Sequence, residues 1–291
     1  MTAADQLSNN ARLLREGDSD RFLTALFAPA DRREGLFSLY AFNLELGRSA
    51  EHINEPMMGY IRLQWWRDRI AEIYVGDGPP KGAELAQALG QAVRAYNLPR
   101  QLFDAMLDAR EQDFSPDAPA SLAEFERYAQ ATAGGLIALA LTVLGIPNDN
   151  DQKSTAQSTA YSAAMNLGMA WAIAGHLRAA AFHSRHNKQY LPGDILGPTA
   201  MVDLQNGRSS PALRQAARQM AQRAHEHLAA ARDDALRLPK TALPVVLLAP
   251  LTGPYLRRLA AQDYDLFSPK LIIAKPRRQF MLAWHAWRGR Y

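Results

Sequence analysis

Apolar positions recur along the chain at the three-and-four spacing of helices. Leu36, Leu39, Tyr40, Phe42 and Leu46 form one such run, with Asn43 among them. Ile61, Trp65 and Ile73 form a second, with Arg69 in step, and Leu85, Leu89 and Val93 a third. No stretch alternates apolar and polar residues between hairpin turns, as half-buried strands do. Turn-forming residues break the pattern at Gly76-Asp-Gly-Pro-Pro, Ser115-Pro-Asp-Ala-Pro, Ile146-Pro-Asn-Asp-Asn, Tyr190-Leu-Pro-Gly and Asn206-Gly, and around Pro239 to Pro254. Helices of roughly 15 to 35 residues are expected between these breaks.

Ser121-Leu-Ala-Glu124 is a capping box and predicts a helix start near residue 122. Inside the helix that follows, Gly134-Gly135 costs about 1 kcal/mol per glycine relative to alanine. A close helix crossing, a kink or a ligand approaching the backbone would offset it, and the close crossing is the simplest of the three. No break is long or polar enough for a linker and no 20–50-residue repeat is present. The expectation is one all-α domain over residues 1–291, with 1–20 a loose N-terminal segment.

Composition narrows the chemistry. The chain has 291 residues, 33 Lys and Arg against 29 Asp and Glu, and no cysteine. Disulfide frameworks, thiolate metal sites and cysteine nucleophiles are therefore excluded. A formal excess of four positive charges is too small to predict a nucleic-acid partner. The first residues show no basic and apolar signal pattern, and Leu136 to Ile146 is far short of the roughly 20 residues of a spanning helix. The expectation is a cytoplasmic protein, with peripheral contact at the inner face of the membrane left open.

Three stretches carry more specific information. One is Leu39-Tyr-Ala-Phe-Asn-Leu-Glu-Leu-Gly-Arg-Ser-Ala-Glu51, followed by Arg62-Leu-Gln-Trp-Trp-Arg67. The next is Tyr128 with Ala133-Gly-Gly135, and the last runs from Leu167-Gly-Met-Ala-Trp-Ala-Ile-Ala-Gly-His-Leu-Arg178 to Lys188-Gln-Tyr-Leu-Pro-Gly193. In this order and spacing they resemble the squalene/phytoene synthase family over roughly residues 20–290. The resemblance implies an all-α, isoprenoid-synthase-like bundle around a central apolar cavity, in which two prenyl diphosphates are joined head to head. It also implies two aspartate-rich motifs holding Mg²⁺ against the diphosphate, because a departing diphosphate accumulates charge that hard cations and carboxylate oxygens must balance.

The sequence departs from that pattern at the ligands. The three aspartate positions of the first motif fall on Gly47, Arg48 and Glu51, of which only Glu51 can ligate. Arg48 would oppose a cation by about 4 kcal/mol per unit charge at roughly 4 Å. The two aspartates of the second motif fall on Ala179 and His183, and its polar Gln and Asn on Ala172 and Gly175; no carboxylate lies between Gly168 and Gly193. Ala41-Phe-Asn-Leu-Glu-Leu46, Arg62-Leu-Gln-Trp-Trp-Arg67, Leu177-Arg-Ala-Ala-Ala-Phe-His-Ser184 and the ending Phe267-Ser-Pro-Lys…Trp284-His-Ala-Trp287 resemble a branch with the same losses, the complex I assembly factor 6 branch. That resemblance implies work in respiratory complex I assembly, with a complex I subunit or assembly intermediate as partner. No cofactor is then expected; the alternative is a Mg²⁺-dependent prenyltransferase using Glu45, Glu51, Asp108 and Asp113.

Candidate ligand-binding residues are Tyr40, Glu45, Arg48, Glu51, Arg62, Trp65, Arg178, His183, Arg185, Lys188 and Tyr190. The cations, with Arg67, either grip an anionic prenyl-type head group by charge-assisted contacts or pair with Glu45, Glu51 and Asp68. Glu45 and Arg48 stand at helix-neighbour spacing. His176, His183 and His186 have the spacing to share a helix face, as polar cavity lining or surface, or as a three-histidine metal site. His225 and His227 are expected on a solvated face, and Trp65, Trp66 and Trp171 in helix packing or a cavity wall. Residues 275–291 are basic with interleaved aromatics, as in a helix lying on anionic lipid, a partner-docking helix or a last bundle helix with a wet face.

Overall fold

Four side chains fix where helices begin. Ser8, Asp18, Ser121 and Ser210 accept hydrogen bonds from the backbone N–H groups of Ala11, Arg21, Glu124 and Leu213, satisfying donors that a helix start leaves open. Proline at the first turn does the same work by removing a donor, at Pro56, Pro211, Pro244 and Pro250. The computed structural model describes residues 7–53, 55–76, 80, 82–115, 117–146, 155–186, 188–273 and 275–288.

The elements in order are α1 (Asn9–Gly17), α2 (Ser19–Ala25), α3 (Ala30–His52), α4 (Pro56–Val75), α5 (Glu84–Tyr96), α6 (Arg100–Ala109) and α7 (Leu122–Ala129). They continue with α8 (Gly135–Val143), α9 (Thr155–Arg185), α10 (Gly193–Gln205), α11 (Pro211–Ala235), α12 (Leu243–Val246), α13 (Ala249–Ala261) and α14 (Lys275–Arg288). No strand occurs among the described residues, as the hydrophobic spacing predicts.

Several helices are shorter than expected. Asn97 takes a left-handed conformation (φ 52°) and ends α5 ahead of Pro99, a break the spacing alone does not announce. The segment from Pro239 to Pro254 is broken only in part. It holds a 3₁₀ turn, α12 and the first six residues of α13: Pro239 precedes the 3₁₀ turn, Pro244 and Pro250 sit in first turns, and Pro254 lies inside α13. The N-terminal segment is not loose where it is described: α1 packs on α3 and buries Ala11 and Leu14 completely. The expected breaks at 77–79 and 147–150 lie outside the described residues.

The long helix α9 runs through the middle, against α11, α8 and the turn between α7 and α8. That turn, Gln130–Gly134, is π-helical, a widened turn that often marks a functional region. Gly134 and Gly168 meet there: a Cβ on Gly168 would lie 2.5 Å from Gly134 Cα and 2.7 Å from the Ala133 carbonyl carbon. The cost of Gly134 is thus offset by a close helix crossing, whereas a Cβ on Gly135 would meet nothing nearer than 3.9 Å. Thr132 and Ala133, beside Gly134, line a cavity on α9, so the crossing also shapes the pocket.

His227 corrects another expectation. It is buried against Asn166 of α9, with Nδ1 2.9 Å from Asn166 Oδ1 and Nε2 3.1 Å from Glu126 Oε1. Burial works against the Glu126 charge, but Arg223 and His227 outweigh it and lower the pKa. His225 is exposed, as expected.

Candidate functional site

A cavity of about 210 Å³ is enclosed by α3, the Arg110–Phe114 turn, the π turn, α9 and Tyr190. Its polar wall is closed on itself. Arg110 donates to Asp113 Oδ2 (2.9 Å), to the Tyr128 hydroxyl (3.0 Å) and to Asn43 Oδ1 (3.0 Å). The Tyr128 hydroxyl donates to the other Asp113 oxygen at 2.7 Å, and Lys188 Nζ reaches the Asp113 carbonyl at 3.2 Å. The Asp113 side chain is 1% exposed and that of Arg110 13%. Burial alone would lower the Arg110 pKa, yet Tyr128 and Asp113 hold it above its ordinary value. Removing either partner would leave a buried charge unmatched, which costs about 3–5 kcal/mol.

Beside it His176, His183 and Tyr190 form an aromatic patch. The ring of His176 stands 6.0 Å from that of His183 and 5.1 Å from that of Tyr190, and the rings of His183 and Tyr190 are 4.7 Å apart. Desolvation, then the neighbouring His183 and Arg110, lower the His176 pKa to about 3. Desolvation and His186 outweigh Asp113 to bring His183 down to about 4. Both rings are neutral near pH 7. His176 Nδ1 has no hydrogen-bond partner among the described residues and no contact with solvent. Burial raises the pKa of Tyr128 and Tyr190, so their hydroxyls keep their protons.

The structure divides the sequence candidates into three groups. Gly47, Glu51, His183 and Tyr190 line this cavity, with Ala172 and Gly175, while Lys188 braces Asp113. Arg178 and Arg185 line a second, larger groove. The others line neither. Tyr40 is fully buried beside Arg21, with no described partner for its hydroxyl. Arg48 lies against Gly17 at the end of α1. Ala179 contributes nothing to either lining.

Glu45, Arg62 and Trp65 belong to a packing cluster. Arg62 donates to Glu45 (2.8 Å) and lies over the Trp65 ring (4.6 Å), and the fully buried Trp66 donates to the same carboxylate. Arg67 and Asp108 pair at 2.8 Å. His186 turns outward onto Phe182, so the three histidines do not converge. Sequence reasoning passed over Arg110, although Arg110 and Asp113 stand at helix-pair spacing; Arg21 and Asn43 also reach the cavity, as does Trp171, expected in helix packing or a cavity wall.

These residues do not fit a pair of Mg²⁺ ions. Asp113 is closed by Arg110 and Tyr128, Glu45 by Arg62 and Trp66, and the α9 side offers histidine, alanine and glycine. That leaves Glu51 as a single carboxylate on the lining, where two ions would need several. No group of three or more His, Asp or Glu is placed to hold a metal ion among the described residues.

The second groove, about 600 Å³, runs between α2, α9, α13, the 266–273 segment and α14. It shares Arg21, Trp171 and Gly175 with the first cavity, and Arg21 lies over the Trp171 ring at 5.3 Å. Leu251, Tyr255, Leu266 and Leu271 give it apolar walls, and Arg178, Arg185 and Arg278 give it cations. Asp20 binds Arg278 at 2.7 Å and faces Arg178 at 3.8 Å. Burial outweighs these cations and raises the Asp20 pKa.

Comparison with known proteins places this geometry. The squalene/phytoene synthase family profile matches residues 14–287. Complex I assembly factor 6 of Bos taurus is 32% identical over 281 residues, 96% of this chain and 81% of its own; the Homo sapiens protein is 31% identical over the same spans. Presqualene diphosphate synthase of Rhodopseudomonas palustris is 28% identical over 70% of this chain and 69% of its own. Among solved structures, a dehydrosqualene synthase superposes with a TM-score of 0.78, covering 97% of this chain and 96% of that one at 16% identity. A squalene synthase from Alicyclobacillus acidocaldarius gives 0.73 over 88% and 93% at 18% identity.

Proposed function

The chain belongs to the squalene/phytoene synthase family, and from that premise we propose that it works by binding, as an assembly factor for respiratory complex I. In this reading it has kept the family's fold and lost the metal-dependent joining of prenyl diphosphates. The observation that carries it is the closed ion pair in the cavity. Asp113 holds Arg110 and Tyr128 at 2.7–2.9 Å, and the facing helix presents neutral imidazoles. A diphosphate without divalent cations would need a strongly cationic wall, and here each buried cation already has its anion.

The same reading leaves room for an apolar ligand. The 600 Å³ groove has the size and walls for the chain of a prenyl-type lipid, with Arg178 and Arg185 at hand for a polar end. Such a ligand would be held, not turned over.

Two measurements test the proposal together. Purified protein incubated with Mg²⁺ and labelled farnesyl or geranylgeranyl diphosphate should release no pyrophosphate and form no apolar product beside an active synthase. Expressed with a mitochondrial targeting sequence in human cells lacking assembly factor 6, the chain should restore complex I. Turnover in the first assay would overturn the binding reading and return the prenyltransferase; failure in the second, with folded protein present, would remove the assembly role.

A further inference from the structure

We propose that the outer face of α14 is a docking surface for an anionic phospholipid bilayer. The helix has two unlike sides. On the inner side Leu282 is 1% exposed, Met281 and Ala286 pack on the core, and Arg278 donates to Asp20 of α2 at 2.7 Å. These contacts hold the helix in place, so the exposure of its other side is fixed by the fold.

That other side is a stripe of aromatics. Phe280, Trp284 and Trp287 stand at i, i+4 and i+7, exposed by 72%, 42% and 77%. Their rings follow one another at 6.4 and 5.5 Å, and the Arg288 guanidinium covers Trp284 at 4.7 Å. Ile272, in the segment leading to the helix, is 79% exposed.

Charge selects the occupant. From Ser268 to the end the chain carries Lys270, Lys275, Arg277, Arg278, Arg288 and Arg290 and no Asp or Glu. Those six cations exceed the formal excess of four for the whole chain, so everything before them is net acidic. Amphipathic tryptophans beside cations are what the headgroup layer of an anionic membrane accepts, with rings at the acyl boundary and each nearby cation adding attraction. The area points the same way. At about 150–250 Å² per buried aromatic side chain, the exposed parts of these three rings offer about 400 Å². That is half of the roughly 800 Å² per partner in an ordinary protein interface, yet enough for shallow insertion. No described helix is long and apolar enough to cross a membrane, so the contact would be peripheral.

The test is co-sedimentation of the full chain with vesicles of phosphatidylcholine alone and of phosphatidylcholine mixed with phosphatidylglycerol. Binding is expected to the mixed vesicles and to weaken as salt rises. Replacing Phe280, Trp284 and Trp287 together by serine should lower that affinity by about thirtyfold or more and leave the chain folded, since Leu282, Met281, Ala286 and the Arg278–Asp20 pair still anchor the helix. Arg277→Glu, at an exposed position away from the Asp20 contact, should reduce the preference for anionic vesicles and keep the fold. Equal binding to both vesicle types, no binding, or full binding by the triple variant would overturn the proposal. So would self-association of the parent chain that the triple variant abolishes, because the stripe would then be an interface between copies.

Discussion

Gly168 and Gly175 stand two turns apart on α9, and their surroundings are opposite. A Cβ at Gly168 would run into the backbone of the π turn, whereas one at Gly175 would meet nothing within 4 Å. The first belongs to the crossing that sets the spacing of α9, α7 and α8; the second opens onto both cavities. Around Gly168 the helix is dry and small, with Ala160, Ala164, Leu167, Ala170 and Ile173 buried. From Gly175 onward it carries His176, Arg178, His183 and Arg185. One helix therefore holds a region whose residues are dictated by packing and a region where packing leaves the choice open. Side chains can change in the second region without disturbing the packing of the first.

The sharpest way to break this contrast is Gly168→Ala. The added methyl meets backbone atoms, which cannot rotate away, so α9 or the π turn must move. The expected loss is about 3 kcal/mol or more, read as a lower urea midpoint or as failure to fold. A variant as stable as the parent would show that the crossing is looser than the close approach implies.

A smaller effect should come from pH. His176 is held neutral in the native state with a pKa of about 3, against about 6.5 for an unfolded histidine. Below pH 6.5 the unfolded chain takes up a proton that the native state refuses, so stability is present at neutral pH and lost on acidification. At pH 5 this one residue contributes a loss of about 2 kcal/mol. Asp20, whose native pKa is raised, acts in the opposite sense, its contribution falling as pH rises. The comparison with His176→Phe separates the two: that variant keeps a ring beside Phe125 and Tyr190 and should lose less stability between pH 7 and pH 5. Equal acid lability would mean that the His176 ring is already solvated in the native state.

The same contrast explains what could be read from the sequence. Helical spacing, the capping box at Ser121 and the tension of Gly134-Gly135 are local signals, and the fold honours them. The motif spacing named helices that meet at the cavity, since α3 and α9 both line it. Pairing was not legible. Nothing local distinguishes Glu45, taken by Arg62 and Trp66, from Glu51, which lines the cavity. His227 sits in a charged stretch and still turns inward, because Asn166 and Glu126 wait for it from two other helices. Arg48 could be placed at a motif position but not aimed, since its direction depends on the bare backbone of Gly17. A residue type fixes which partners it accepts, and only the tertiary fold decides which it meets.

The smallest expected effect sharpens the comparison most, because its sign is opposite. Glycine inside a helix is destabilising by roughly 0.5–1 kcal/mol relative to alanine when nothing else depends on it. At Gly175 no neighbour would touch the added methyl, so Gly175→Ala should raise the stability of the chain by about that amount, where Gly168→Ala lowers it. Both substitutions add one methyl to one helix, and both gain the same helix propensity. The difference between them therefore measures the close crossing alone, free of the backbone term. A loss of stability in Gly175→Ala would mean that this face of α9 closes on a neighbour in solution, and the division of the helix into a packed half and an open half would fail.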